Sequence, residues 1–559
     1  MSWSACTESS TITESEQHEQ RIEKNKTVLI ATNILIVLAT SFHLGFKLIY
    51  ADFIGEGDVF LATEDFNNLT DAELIKHHFT RFESPLYTNL ACMFGAAIVV
   101  VWSKQFSQYS PRYCLIFAIL ASLVGAPFTA GCFIWKQHWM QTLGLCLSDI
   151  ALVVAVCFQV CLVQDISNTK MKKKFTFFTG IAFALGTFAA CCLCLCTFTY
   201  PSLRLFVYLA LFSFILPAII FIFKIPDPIF HLFEEDSNSC VMEILNDSNT
   251  LENTKLQEAL EFYHNGKLTT EESKLIYTRS VAKCPYDGLL HVWIDRNGCT
   301  VAIIAIVTNM MGAVCDHLFS LRWYIHHVYK DNENLTIIFT LTFAFLLGTL
   351  LSIPISFVCS RRYVFLTASM LLFFCEVCHG LMHCTVFGEI FHPEHGSLIG
   401  MFFRILQTIA SGATFSTHAW TIGAELAPRN IQLMITGAGI FVRFFFAELF
   451  TITHVAFREY ETYALAPMIC IVTALGITLI SMYMPQGNGF FNMYSWWINI
   501  AEDAHAQTYF NKNKYKLYTN YNYNLDDLKS CKEKLTLAVD KNNKDEQQLS
   551  VLSSENKMS

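Results

Sequence analysis

The sequence predicts an all-α polytopic membrane protein of twelve transmembrane helices arranged as two six-helix halves. Twelve apolar stretches are each about long enough to cross a hydrocarbon core of ~30 Å as a helix, the element that satisfies its own backbone hydrogen bonds in lipid. A polar segment, residues 225–297, splits them six and six. The composition agrees: 53% of residues are hydrophobic and 15% charged, Phe occurs 49 times in 559 residues, and the mean hydropathy is +0.39. No water-soluble domain needs that much apolar surface.

Residues 1–26 form a polar N-terminal tail without a basic stretch and cleavage site, so no signal peptide is expected and span one directs insertion. The N-terminal half, 27–224, contains spans one to six at 27–50, 85–103, 113–135, 139–163, 175–198 and 203–224. The central loop, 225–297, holds helix-like pieces such as Leu251 to His264. Spans seven to twelve follow in the C-terminal half, 298–484, at 298–321, 337–358, 363–386, 398–424, 433–456 and 462–484. The tail, 485–559, is rich in Asn, Lys, Tyr and Ser and is expected to be largely disordered, with partners the sequence does not name.

An even number of spans puts both termini on one side. Lys170, Lys172, Lys173 and Lys174 after span four, with Arg361 and Arg362 after span eight, make that side cytoplasmic, although Lys76, Arg81, Arg322 and Lys330 fall outside. The expected location is the plasma membrane. On this topology the sequons at Asn68 and Asn334 are extracellular glycosylation sites, whereas those at Asn25 and Asn246 face the cytoplasm.

The net charge of −9 is spread over termini and loops, which implies no nucleic-acid partner. Most of the 21 Cys, including Cys191, Cys192, Cys194 and Cys196, lie in apolar stretches as small hydrophobes, so no disulfide framework is expected. Neither a catalytic triad, a Gly-rich phosphate loop nor an H-E-x-x-H stands in a loop that would support catalysis; an enzyme, a cofactor and a resident metal are not expected. The partners expected are the bilayer and a small-molecule solute.

Five motifs at span ends carry a resemblance. Asp165 to Lys174 looks like E-x-S-P-x-x-x-R-G, with Asp165 for the acid and Lys172 for the arginine. Pro226-Asp227-Pro228 with Phe230 and Leu232 looks like P-E-S-P-R-W-L, and Ser360-Arg361-Arg362 is similar to G-R-R. Trp420 to Pro428 looks like W-x-x-x-A-E-[IL]-x-P, and Pro485 to Gly489 is similar to P-E-T-K-G. In this order the chain resembles the major facilitator superfamily, and within it the sugar porter branch that includes the facilitative glucose transporters, over about residues 27 to 500. The resemblance implies two halves that rock about a midplane site to give alternating access. There are departures. D-R-x-G-R-R is reduced to Tyr109-Ser110-Pro111-Arg112 without its acid, and the glutamine of span five falls at Gly180. Span seven keeps one amide in Thr308-Asn309-Met310-Met311-Gly312, and the amide of span eleven falls near Val442 and Arg443, so hexose specificity is not inherited.

The resemblance places Asn309 and Trp420 where that family touches its ligand, and an amide beside an indole suits a hydroxylated or planar solute. Arg443, a permanent charge inside an apolar helix, needs either an internal acid (Asp149, Asp316 or Glu448) or an anionic substrate. Asp165, Lys172, Arg361, Arg362 and Glu425 form a candidate cytoplasmic gate of ion pairs that break as the halves separate. Glu376, His379 and His383 share a face of span nine as a candidate proton relay, or simply bond backbone and water. The function expected is transport of a small, sugar-like polar solute. An organic ion carrier of the same superfamily is the alternative within transport, and a non-transporting sensor on the same scaffold is the alternative in another class; an intramembrane metalloenzyme ranks last.

Overall fold

The structure, a computed structural model, describes residues 14–50, 71–135, 138–166, 169–196, 201–229, 231, 254–264, 292–293, 296–317, 332–382, 393–427, 429–456 and 461–484, all within one compact unit formed by 1–235 and 253–496. Among these residues the chain makes twelve helical passages, one at each predicted span. Nine are long and apolar enough by themselves to cross a membrane; spans two and seven contribute the shorter apolar helices Leu86–Val101 and Gly298–Val314. Span ten falls below that measure because its rod carries Arg404 and many buried polar groups. The fold is the all-helical, multi-pass membrane architecture.

Helix ends follow local chemistry. Proline opens three helices, Pro111–Ser122, Pro201–Leu211 and Pro393–Ser411, where its missing N–H costs nothing. Span one begins earlier than the hydropathy boundary, at Glu14, because the polar residues before 27 are good helix formers. It then passes through a π turn, Leu38–Phe42, and span ten has a matching one at Gly412–Ser416. Such single π turns rotate the side chains that follow and cluster at functional sites. Here one lies beside Gln159, which accepts from Thr40 and Ser41, and the other precedes Trp420. In the polar loop, Thr254–His264 is the helix that the sequence placed from 251 to 264.

The halves meet where spans two and eleven, five and eight, and five and ten face one another. Packing in lipid relies on small residues that let backbones approach. Gly437 of span eleven makes room for side chains of span two: a Cβ there would stand 3.0 Å from Val99 Cγ1 and 3.1 Å from Val100 Cγ2. Phe188 closes the five–eight seam, its ring 5.4 and 5.9 Å from those of Phe339 and Phe343.

Candidate functional site

Arg443 lies at the centre of the C-terminal half with its side chain fully buried. Its Nε and Nη2 donate to Oδ2 and Oδ1 of Asp316 on span seven at 2.6 and 2.7 Å, a two-pronged contact that neutralises the charge from within. Of the acids considered for it, Asp316 is therefore the one in place. The guanidinium carbon stands 4.0 Å from the Trp420 ring centroid and 5.5 Å from that of Phe183 on span five. Phe183 and Trp420 are themselves 5.1 Å apart, so a side chain of the first half helps to frame a site of the second.

Asn309 Nδ2 donates to Ala305 O at 2.9 Å and to Ala419 O at 3.0 Å, tying span seven to span ten one residue before Trp420. Two glycines make room: a Cβ at Gly312 would come within 2.8 Å of Arg443 Nη1, and one at Gly439 within 2.6 Å of Asn309 Nδ2. Three buried polar atoms are left over here, namely Arg443 Nη1, Trp420 Nε1 and Asn309 Oδ1. They are two donors and one acceptor, each buried without a hydrogen-bond partner. Gly180, at the position of the family's glutamine, abuts the Thr417 backbone, so the amide is missing and its space is also filled.

The predicted gate is divided. Arg361 pairs with Glu425 through both carboxylate oxygens, at 2.5 and 3.2 Å, but both residues belong to the C-terminal half and tie span nine to span ten. Arg362 does not join them; it donates to Ser481 O at the end of span twelve. In the other half Arg112 and Ser110 both bond Asp227, so the acid lacking after span two is supplied after span six. Tyr263 of the loop helix donates to Pro226 O at 2.6 Å beside this pair, and burial pushes its phenol above the ordinary tyrosine range, opposed by the Arg112 charge and reinforced by Asp227 and Asp165. Asp165 is buried, while the side chain of Lys172 lies outside the described residues.

Glu376 and His379 meet a residue the sequence reading passed over. Arg404 of span ten donates to Glu376 at 2.7 and 3.3 Å, to Gln407 at 2.9 Å and to His379 Nδ1 at 3.0 Å. Since a guanidinium only donates, Nδ1 must accept, which fixes the neutral Nε2–H tautomer. His383 and Asn68 lie outside the described residues, as does the side chain of Asn334, whose backbone is in the first turn of span eight. No group of three or more metal-ligating side chains occurs among the described residues.

A second unforeseen pair lies in the N-terminal half. Lys47 Nζ is 2.5 Å from Asp149 Oδ1, both side chains fully buried, with His43 one turn away packed between Tyr208 and Phe212. Lys47 falls three residues from the predicted end of span one, where a lysine normally reaches to the interface. Asp149, an acid in mid-span, was the signal that it would not.

Comparison with known proteins agrees with this architecture. The family model described as sugar (and other) transporter matches residues 83–496. Among solved structures, the proton:xylose symporter XylE bound to 6-bromo-6-deoxy-D-glucose is similar at 11% identity and TM-score 0.63, covering 85% of this chain and 100% of that one. The inward-open conformation of the xylose transporter XylE from E. coli is similar at 11% identity and TM-score 0.52, covering 84% and 99%. No curated protein matches the chain in sequence.

Proposed function

The chain belongs to the sugar (and other) transporter family, and from that membership we propose that this membrane transporter moves a small, uncharged, hydroxylated solute by alternating access between its halves. The observation that carries the solute class is the internal neutralisation of Arg443 by Asp316, which leaves Arg443 Nη1, Trp420 Nε1 and Asn309 Oδ1 as a hydrogen-bonding surface without net charge. Hydroxyl groups both accept and donate, and so can satisfy all three. An organic anion would meet a carboxylate already seated on Arg443. The basic residues after spans four and eight support cytoplasmic termini, and we place the protein in the plasma membrane with glycans at Asn68 and Asn334.

The test is uptake of labelled hexoses, pentoses and polyols into vesicles containing the purified protein. Asn309→Ala with Trp420→Ala should raise KM roughly fivefold to hundredfold at unchanged protein content, from about 1–3 kcal/mol of lost contacts. Unchanged uptake by the double variant removes these residues from the site. One observation favours a second reading, a sensor that binds without transporting: Gly180 leaves spans five and ten in backbone contact where the family has a ligand amide. Solute binding without uptake would select it.

A further inference from the structure

The two partners of the central ion pair are unequal. Arg443 has no exposed side-chain surface, whereas Asp316 keeps 12%. Both carboxylate oxygens are engaged by Nε and Nη2, so the fork that suits a carboxylate is occupied by one of the protein's own. The third nitrogen, Nη1, lies against Gly312 without a partner. Three supports hold the guanidinium in this pose: the carboxylate at its edge, Trp420 at its face 4.0 Å away, and the space left by Gly312.

A solute carrying a carboxylate would have to displace Asp316 or settle beside it, and like charges brought together in a largely buried site repel strongly. An uncharged solute meets neither obstacle. We propose that Asp316 is the charge filter of this carrier, a specificity-determining residue that excludes organic anions by occupying the fork of Arg443. Asn in its place keeps the shape and removes the charge, so the same surface becomes a receptor for a solute carboxylate. Specificity of this kind rests on a repulsive element as much as on attraction. The inference rests on the reading that the Asn309, Trp420 and Arg443 surface meets the solute.

The probes are glucose and glucuronate, which differ by a carboxylate in place of a hydroxymethyl group. Parent, Asp316→Asn, and Asp316→Asn with Arg443→Gln are compared by thermal stability of the purified proteins with each probe and by vesicle uptake. Glucuronate should stabilise and enter Asp316→Asn about tenfold or more better than the parent, and the second substitution should abolish the gain. If Asp316→Asn is lost on extraction, acetate or glucuronate present throughout should restore its recovery, because a free carboxylate beside Nη1 supplies the negative charge that Asn lacks. Folded Asp316→Asn that ignores glucuronate overturns the proposal. So does Asp316→Asn that no carboxylate recovers, since the pair is then closed to solutes. If the parent takes up none of the hexoses, pentoses and polyols but Asp316→Asn is stabilised by glucuronate, the transport reading fails alone. If the parent takes up glucose and Asp316→Asn ignores glucuronate, the filter fails alone.

Discussion

Removing Asp149 should damage this protein more than removing the whole ion pair to which it belongs. Lys47 and Asp149 are both fully buried and 2.5 Å apart, and the ammonium has one further acceptor, Leu145 O at 2.9 Å. Asp149→Ala leaves a cation in apolar surroundings with a single neutral acceptor, and breaking a buried pair on one side costs about 3–5 kcal/mol. Lys47→Met strands the carboxylate and should cost a similar amount. The double variant Lys47→Met with Asp149→Leu strands nothing, and such replacements are typically neutral or stabilising by about 1–4 kcal/mol. The order of stability is therefore double variant at or above parent, and both single variants well below. The assay is the monodisperse fraction that survives heating in detergent, read by size-exclusion chromatography for all four proteins, which closes a double-mutant cycle. A double variant that loses the sum of the two single losses would refute the reasoning, because the residues would then act independently.

Gly180→Ala should cost about 1–3 kcal/mol in the same heating assay, since its methyl group meets the Thr417 backbone and spans five and ten must part; a variant as stable as the parent would show that this seam has slack. Glu425→Gln should cost about 1.5–3 kcal/mol, well above the ~0–1 kcal/mol of a surface pair, because the side chains of Arg361 and Glu425 are only 4% and 6% exposed; Arg362→Ala, which loses one bond to Ser481 O, should cost less, and the reverse order would count against the assignment. Tyr263→Phe should loosen the loop helix by about 0.5–1.5 kcal/mol, visible as faster proteolysis within 225–297. Because burial raises the Tyr263 phenol pKa, its contribution stays constant below the ordinary tyrosine value of about 10 and is lost only above it, so a difference from Phe that changes between pH 6 and 8 would contradict the assignment.

Hydropathy made the twelve helices legible, since a bilayer enforces helix length and backbone satisfaction on each span separately. It could not show which charge meets which. Arg443 and Asp316 are 127 residues apart, and nothing local distinguishes Asp316 from Asp149 as the partner. Arg404 escaped notice although it stands within the predicted span ten, because Glu376 and His379 formed a local pattern by themselves and drew the chemistry towards a relay. The structure places both around a guanidinium. At Gly180 the sequence recorded a missing amide; that its space is closed by Thr417 depends on how two spans cross, which no periodicity encodes.

None of the intramembrane or membrane-edge ion pairs described above joins one half to the other: Lys47 pairs with Asp149 in the first, Arg112 of the first with Asp227 just after its last span, and Arg361 with Glu425, Arg404 with Glu376 and Arg443 with Asp316 in the second. Moving one elementary charge across a membrane potential is worth about 2.3 kcal/mol per 100 mV. A half that rocks with its cations and anions still paired carries those charges together, so the five pairs contribute nothing to a gating charge. Voltage would then have no purchase on the protein through these five pairs.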